Sequence, residues 1–294
     1  MTTDQTANIR APALRLFAKQ LGECQSSKYW IDQINDQSHF ETWLKFSEDS
    51  TISYVHVEQS RLKYKTLYDS YLWKIALEQL SAERPIETVL ELLPGRSFTL
   101  PIALASLGFT GVFDQVDREK TISINQNLVK YSSNWLPKDL LANQDCERQY
   151  DMVVGNHVID DLAFSALMGP IEAGEYSVFA DPDYLDPTRS ALVWRRAIGK
   201  IKWLTHLVHG ILVGLLNNLT LGAVLILREY PSSFALRNGD FTSVKVHLQI
   251  YQDVVRMVSQ DSRFDARFLK IADDHCLPAA LRFKNSFVAI TRLR

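Results

Sequence analysis

Apolar and polar positions alternate in two distinct textures along the chain. Residues 1–82 carry helical spacing and no run that reads as a strand. In LKYKTLYDSYLWKIALEQL (62–80), Tyr64, Leu67, Tyr71 and Ile75 fall on one face of a 3.6-residue repeat. A helical N-terminal region over residues 1–82 is predicted, expected to act as a lid or substrate region that roofs the pocket with residues 169–188. From residue 83 onward, short continuous apolar runs, TVLELL (88–93), GVFDQV (111–116), DMVVGN (151–156) and AVLILR (223–228), alternate with helical segments. Unbroken apolar runs of that length suit strands buried on both faces, so this part predicts an α/β domain, residues 83–294, around a largely parallel sheet.

Between the runs, TLPIALASLG is closed by Gly108, KTISINQNLVKYSSNWL reads as a helix ending before Pro137, and PTRSALVWRRAIGKIKWLTHLVHGILVGLL leads to a turn at Asn217-Asn218. ARFLKIA (266–272) and SFVAITRL (286–293) read as a closing pair of strands. The most apolar stretch, residues 203–227, contains two His and the Asn-Asn break, so it reads as helix, turn and strand. A membrane span takes about 20 uninterrupted apolar residues. Residues 169–188, GPIEAGEYSVFADPDYLDPT, form a long polar insertion of the kind that carries function in compact domains.

Composition narrows the partners. With 46% apolar and 11% aromatic residues the chain can build a sizeable core, and 32 basic against 34 acidic side chains leave a net charge of −2. That balance offers no field for nucleic acid or an anionic membrane and favours a small-molecule partner. Cys24, Cys146 and Cys276 form no C-x-x-C pair, which argues against a disulfide framework or a structural zinc site. The N-terminus lacks the apolar core of a signal peptide, so a cytoplasmic location is expected.

VLELLPG after a helix, QVD ending the next strand, NQD before a short link, and YDMVVGNHVIDDL together resemble, in this order, the class I S-adenosylmethionine-dependent methyltransferases over roughly residues 86–292. The resemblance implies a Rossmann-like, seven-stranded, mostly parallel sheet with an antiparallel last strand in a three-layer α/β/α arrangement. It also implies S-adenosylmethionine as co-substrate across the carboxyl ends of the first four strands. By the same resemblance Glu91 would meet the amino group of the co-substrate. Asp117, beside Arg118 and with Asp114 as a substitute, would hold the ribose hydroxyls, and Asp145 with the Cys146 backbone would meet the adenine. Each has an ordinary alternative: a strand-end carboxylate, a surface charge or a polar loop.

The turn after the first strand departs from the family pattern acid-x-Gly-x-Gly-x-Gly. It reads Glu91-Leu92-Leu93-Pro94-Gly95-Arg96-Ser97, with only the middle glycine kept. Pro94, Gly95 and Ser97 are therefore expected to line a turn remodelled around the amino-acid end of the co-substrate.

GNHVIDD (155–161) follows the fourth strand, where the family places residues facing the transferred group. Asn156 offers donors and an acceptor, His157 titrates near neutrality, and Asp160 and Asp161 can take a proton or orient an amine; helix capping and plain packing are the competing readings. The insertion adds Tyr176, Phe179 and Tyr184 with Asp181, Asp183 and Asp186, aromatic faces and carboxylates suited to a cation. DPDYLDP lacks the Gly and terminal Glu of an EF-hand, so no metal is expected there. Asn156, His157, Asp160 and Tyr176 are the catalytic candidates.

Three functions follow from this reading. The first is methyl transfer to a small molecule. The second is attack on the aminocarboxypropyl arm, by an external amine or by the co-substrate's own nitrogen to give an azetidine, with release of methylthioadenosine. The third is a catalytically silent relative that binds a protein partner through the helical N-terminus.

Overall fold

The computed structural model describes residues 37–49, 59–95, 98–118, 123–145, 148–168, 187–230, 241–271 and 286–294. Among them the apolar runs become strands β1 (Thr88–Leu92), β2 (Val112–Asp117), β4 (Met152–Asn156), β5 (Val224–Arg228) and β7 (Phe287–Arg292), joined by β3 (Ser132–Pro137) and β6 (Phe264–Phe268). The helices are α1 (Gln37–Asp49), α2 (Gln59–Ser81), α3 (Thr99–Ser106), α4 (Val158–Met168), α5 (Pro187–Ile198), α6 (Ile201–Asn217) and α7 (Phe241–Ser259).

All seven strands form one sheet in the order β3-β2-β1-β4-β5-β7-β6. The first five run parallel, and β7 is antiparallel to both neighbours. This is the Rossmann-like sheet with a reversed last strand that the resemblance implies.

Side chains alternate across a strand, so each strand feeds two cores. Val89, Phe113, Met152, Val154, Val224 and Ile226 pack on one face with α1, α2 and α3. Leu90, Leu92, Val116, Val153, Leu225 and Leu227 pack on the other with α4, α5, α6 and α7. The described part of the N-terminal region is thus a layer of the sheet. Trp73 of α2 is fully buried edge-on against Phe287 of β7, ring centroids 5.0 Å apart. Asp69 of α2 pairs with Arg228 of β5 at 2.9 Å, both side chains buried. Of the face expected on α2, Leu67 and Tyr71 are buried and Ile75 half-buried.

The structure corrects three expectations. Ser132–Pro137 is a strand where a helix was expected up to Pro137. It lies at the sheet edge and exposes alternate polar residues, so no apolar run announces it; its conformation is set by pairing with β2. The long helix before Asn217 is two helices, broken at Gly199-Lys200. The sixth strand starts at Phe264, two residues earlier than expected, and ends at Phe268; it too is an edge strand with little burial to mark its limits.

Candidate active site

β1 and β4 are neighbours in register, Glu91 opposite Val154 and Leu92 opposite Gly155. The chain leaves β1 toward α3 on one face and leaves β4 toward α4 on the other. Their carboxyl ends therefore bound the crevice of a doubly wound sheet, where ligands bind in this architecture.

The backbone is strained on both sides of that crevice. Leu93 has φ 48° and His157 φ 62°, the non-glycine residues with positive φ among those described. Left-handed backbone costs a residue with a Cβ about 1–2 kcal/mol. Leu93 stands where the family pattern carries its first glycine and keeps a glycine-like conformation, held by its N–H donating to the Val116 carbonyl at 2.9 Å. Gly95 has φ 55°, and a Cβ built on it would meet nothing within 4 Å, so the turn faces open space. Pro94 between them is buried. At the β4 turn Gly155 is forced by packing: an added Cβ would lie 2.5 Å from Val158 Cγ2.

Glu91 is buried, and its carboxylate accepts from Gln115 Nε2 at 2.7 Å. Burial raises its pKa to about 8, with Gln115 opposing and the nearby Asp117 charge adding to the rise. Asp117, half-buried at the end of β2, accepts from the Arg118 N–H at 2.7 Å. Arg118 in turn pairs with Asp139 at 2.9 Å. Asp145 lies exposed in the loop after β3, its carbonyl receiving Lys138 Nζ. Asp114, weighed as a substitute for Asp117, is instead a buried structural acid: it accepts from Tyr150 Oη and Asn134 Nδ2, each at 2.7 Å, and pairs with Arg148 at 3.3 Å. Ser97, Cys146 and Tyr176, with the rest of the insertion before Pro187, lie outside the described residues.

A second group converges at the ends of β4 and β5. His157 Nδ1 lies 3.3 Å from Asp160 Oδ2 and 3.9 Å from Glu229 Oε2, and His247 Nε2 of α7 lies 2.9 Å from the same Glu229 oxygen. The other Glu229 oxygen accepts from the Ile159 N–H at 2.8 Å. Glu229, supplied by the chain after β5, thus serves the N-terminus of α4, a role the sequence offers to Asp160 and Asp161. Asp160 turns to His157 instead, leaving Oδ1 buried without a donor; Asn156 Oδ1, two residues after Val154 on β4, is likewise buried without one.

Burial pushes the Asp160 pKa up, but the His157 and His247 charges and hydrogen bonds from His157 and the Asp161 backbone outweigh it and hold the group below the usual carboxylate range. For His247 burial pushes down, and Asp160 and Glu229 outweigh it to hold the ring above its ordinary value. The Tyr230 ring stands edge-on to His157, centroids 3.8 Å apart, and stacks under the Arg228 guanidinium at 4.5 Å.

Glu229, Tyr230 and His247 are absent from the sequence-based site. A carboxylate directly after the apolar run AVLILR is a signal that could have found Glu229. His247, by contrast, sits at helical spacing among Ser243, Ile250, Tyr251 and Val254, all buried, and reads as core.

No protein-family model matches the sequence, and no curated protein does. Solved structures with a similar outline include the methyltransferase domain of bacterial CtHen1-CN, 13% identical over 76% of this chain and 98% of that one, with a TM-score of 0.43. The plantazolicin methyltransferase BpumL, in complex with a monoazolic desmethylPZN analog and SAH, is 9% identical over 97% of this chain and 100% of its own, TM-score 0.41. The O-methyltransferase TomG from Streptomyces achromogenes, in complex with SAM, is 12% identical over 88% and 91%, TM-score 0.38.

Proposed function

We propose that the chain is a transferase that uses S-adenosylmethionine to methylate a small molecule, the co-substrate lying across the carboxyl ends of β1, β2 and β4. The observation that carries this reading is the left-handed backbone at Leu93 and His157, on adjacent strand ends flanking the crevice. Strained backbone of this kind clusters at ligand clamps and active sites.

The residues present fit such a ligand. A side chain at Gly95 would meet nothing within 4 Å, Glu91 and Asp117 lie on one face of neighbouring strands, and Asn156 Oδ1 has no donor. Bound S-adenosylmethionine would supply an electrophilic methyl carbon on a sulfonium. Glu91 would attract its ammonium, Asp117 would accept from both ribose hydroxyls, and Asp145 would serve the adenine. Asn156, His157 and Asp160 stand on the acceptor side. There the acceptor's lone pair bonds to the methyl carbon as the carbon–sulfur electrons stay on sulfur. Catalysis needs little beyond in-line positioning in a dry site.

The test is to incubate the purified chain with S-adenosylmethionine, alone and with a small-molecule extract, and to identify the adenosyl product by mass spectrometry. Adenosylhomocysteine on adding extract is expected; methylthioadenosine would transfer the assignment to the aminocarboxypropyl arm. Asp117→Ala should weaken co-substrate binding by about 1–3 kcal/mol in calorimetry, the cost of unpaired hydroxyls. No product together with no binding overturns the reading and favours a catalytically silent relative.

A further inference from the structure

We propose that His157, Asp160, Glu229 and His247 form a site for one divalent transition-metal ion, of the Zn2+, Mn2+ or Fe2+ type. Each residue offers one ligand atom, and the four atoms all lie within 4.8 Å of one another. An ion with bonds of about 2.0–2.2 Å places its ligand atoms roughly 3–4 Å apart, by the geometry of a tetrahedron or octahedron. The separations of 2.9, 3.3 and 3.9 Å fall on that scale.

The four residues arrive from separate elements: His157 from the β4 turn, Asp160 from the first turn of α4, Glu229 from the end of β5 and His247 from α7. His157 enters the group from a left-handed backbone, φ 62°, with its N–H donating to the Arg228 carbonyl at 2.9 Å. Independently, Asp160 is 8% exposed and its Oδ1 is a buried acceptor with no hydrogen-bond partner. Glu229 is fully buried and keeps Oε2 for this cluster while Oε1 is fixed by the Ile159 N–H. Two carboxylates neutralise a divalent ion, and two imidazoles favour a borderline transition metal over Mg2+ or Ca2+, which take oxygen ligands. The rival occupant is protons alone, two imidazolium rings paired with two carboxylates.

Its position next to Asn156 puts the ion on the acceptor side of the crevice, where it would polarise an oxygen donor. An acceptor with a hydroxyl or carboxylate oxygen is the substrate class that fits; this clause alone rests on the methyl-transfer reading.

The experiment uses the full chain, treated with chelator and then titrated separately with Co2+ and Zn2+. Binding of one ion per chain with visible Co2+ d–d absorption is expected, bleached by Zn2+. Asp160→Asn and His247→Gln should each weaken Co2+ binding roughly 100-fold or more, since loss of outer-shell support alone costs 10–100-fold. Circular dichroism checks their folding, and should His247→Gln not fold, the wild-type spectrum with Asp160→Asn decides. No saturable uptake of either ion by the wild-type chain, or unchanged Co2+ binding in a folded variant, overturns the site. Calorimetry with S-adenosylmethionine on the same samples separates this failure from failure of the transferase reading.

Discussion

At the scale of single residues, Glu91 carries the clearest pH signature. Its carboxyl is buried and its pKa is raised from 4.5 to about 8, so between these values the folded chain binds a proton that the unfolded chain has lost. The contribution to stability is therefore fully present below pH 4.5, declines as pH rises, and is gone above about 8. The unfolding free energy from denaturant titrations should fall across pH 6 to 8, by up to about 1.4 kcal/mol per pH unit from this group. Glu91→Gln should remove that part of the slope; an unchanged profile would mean Glu91 is already ionised in the fold. A cationic ligand beside Glu91 favours the ionised form, so affinity for S-adenosylmethionine should rise over the same range in the wild type and lose this dependence in the variant.

At the scale of elements, the β1–α3 turn takes a left-handed path at both Leu93 and Gly95, although only one of them is glycine. Leu93 tolerates a left-handed conformation because pairing with β2 fixes its N–H, and only Gly95 keeps both the positive φ and the missing side chain. In Gly95→Val a β-branched side chain would have to adopt φ 55° and would fill the space in front of the turn. A destabilisation of about 1–3 kcal/mol is expected, with loss of S-adenosylmethionine binding beyond detection by calorimetry while circular dichroism stays native. Normal affinity in the folded variant would move the pocket away from this turn.

At the scale of the whole molecule, the N-terminal helices close one of the two cores. Trp73, Leu72 and Leu77 of α2 are buried to 1% exposure or less, in the same cluster as Val89, Phe113 and Phe287 of the sheet. The buried Asp69–Arg228 pair adds a cost of about 3–5 kcal/mol if one partner is removed alone. Deletion of residues 1–82 should therefore leave a chain that unfolds without cooperativity, measured by thermal denaturation; a cooperative transition in 83–294 would make the helical region a separable unit. No described helix is long and apolar enough to cross a membrane, consistent with residues 203–217 lying in α6 against the sheet.

The sequence by itself determined the buried strands, because runs such as VVGN and VLIL satisfy a parallel sheet only when both faces are covered, and burial writes itself into consecutive residues. The ends of those runs were legible too, with Glu91 and Asp117 proposed there by resemblance and Asn156 and His157 closing the fourth run. Edge strands left no such trace: Ser132–Pro137 is half solvated, and the hydrogen bonds of β2 decide its conformation. The His157–Asp160–Glu229–His247 group was likewise decided by tertiary structure, because 18 residues of chain separate Glu229 from His247 and 70 separate it from Ile159, whose N–H it caps. Only the packing of α4 and α7 beside β5 brings those charges together.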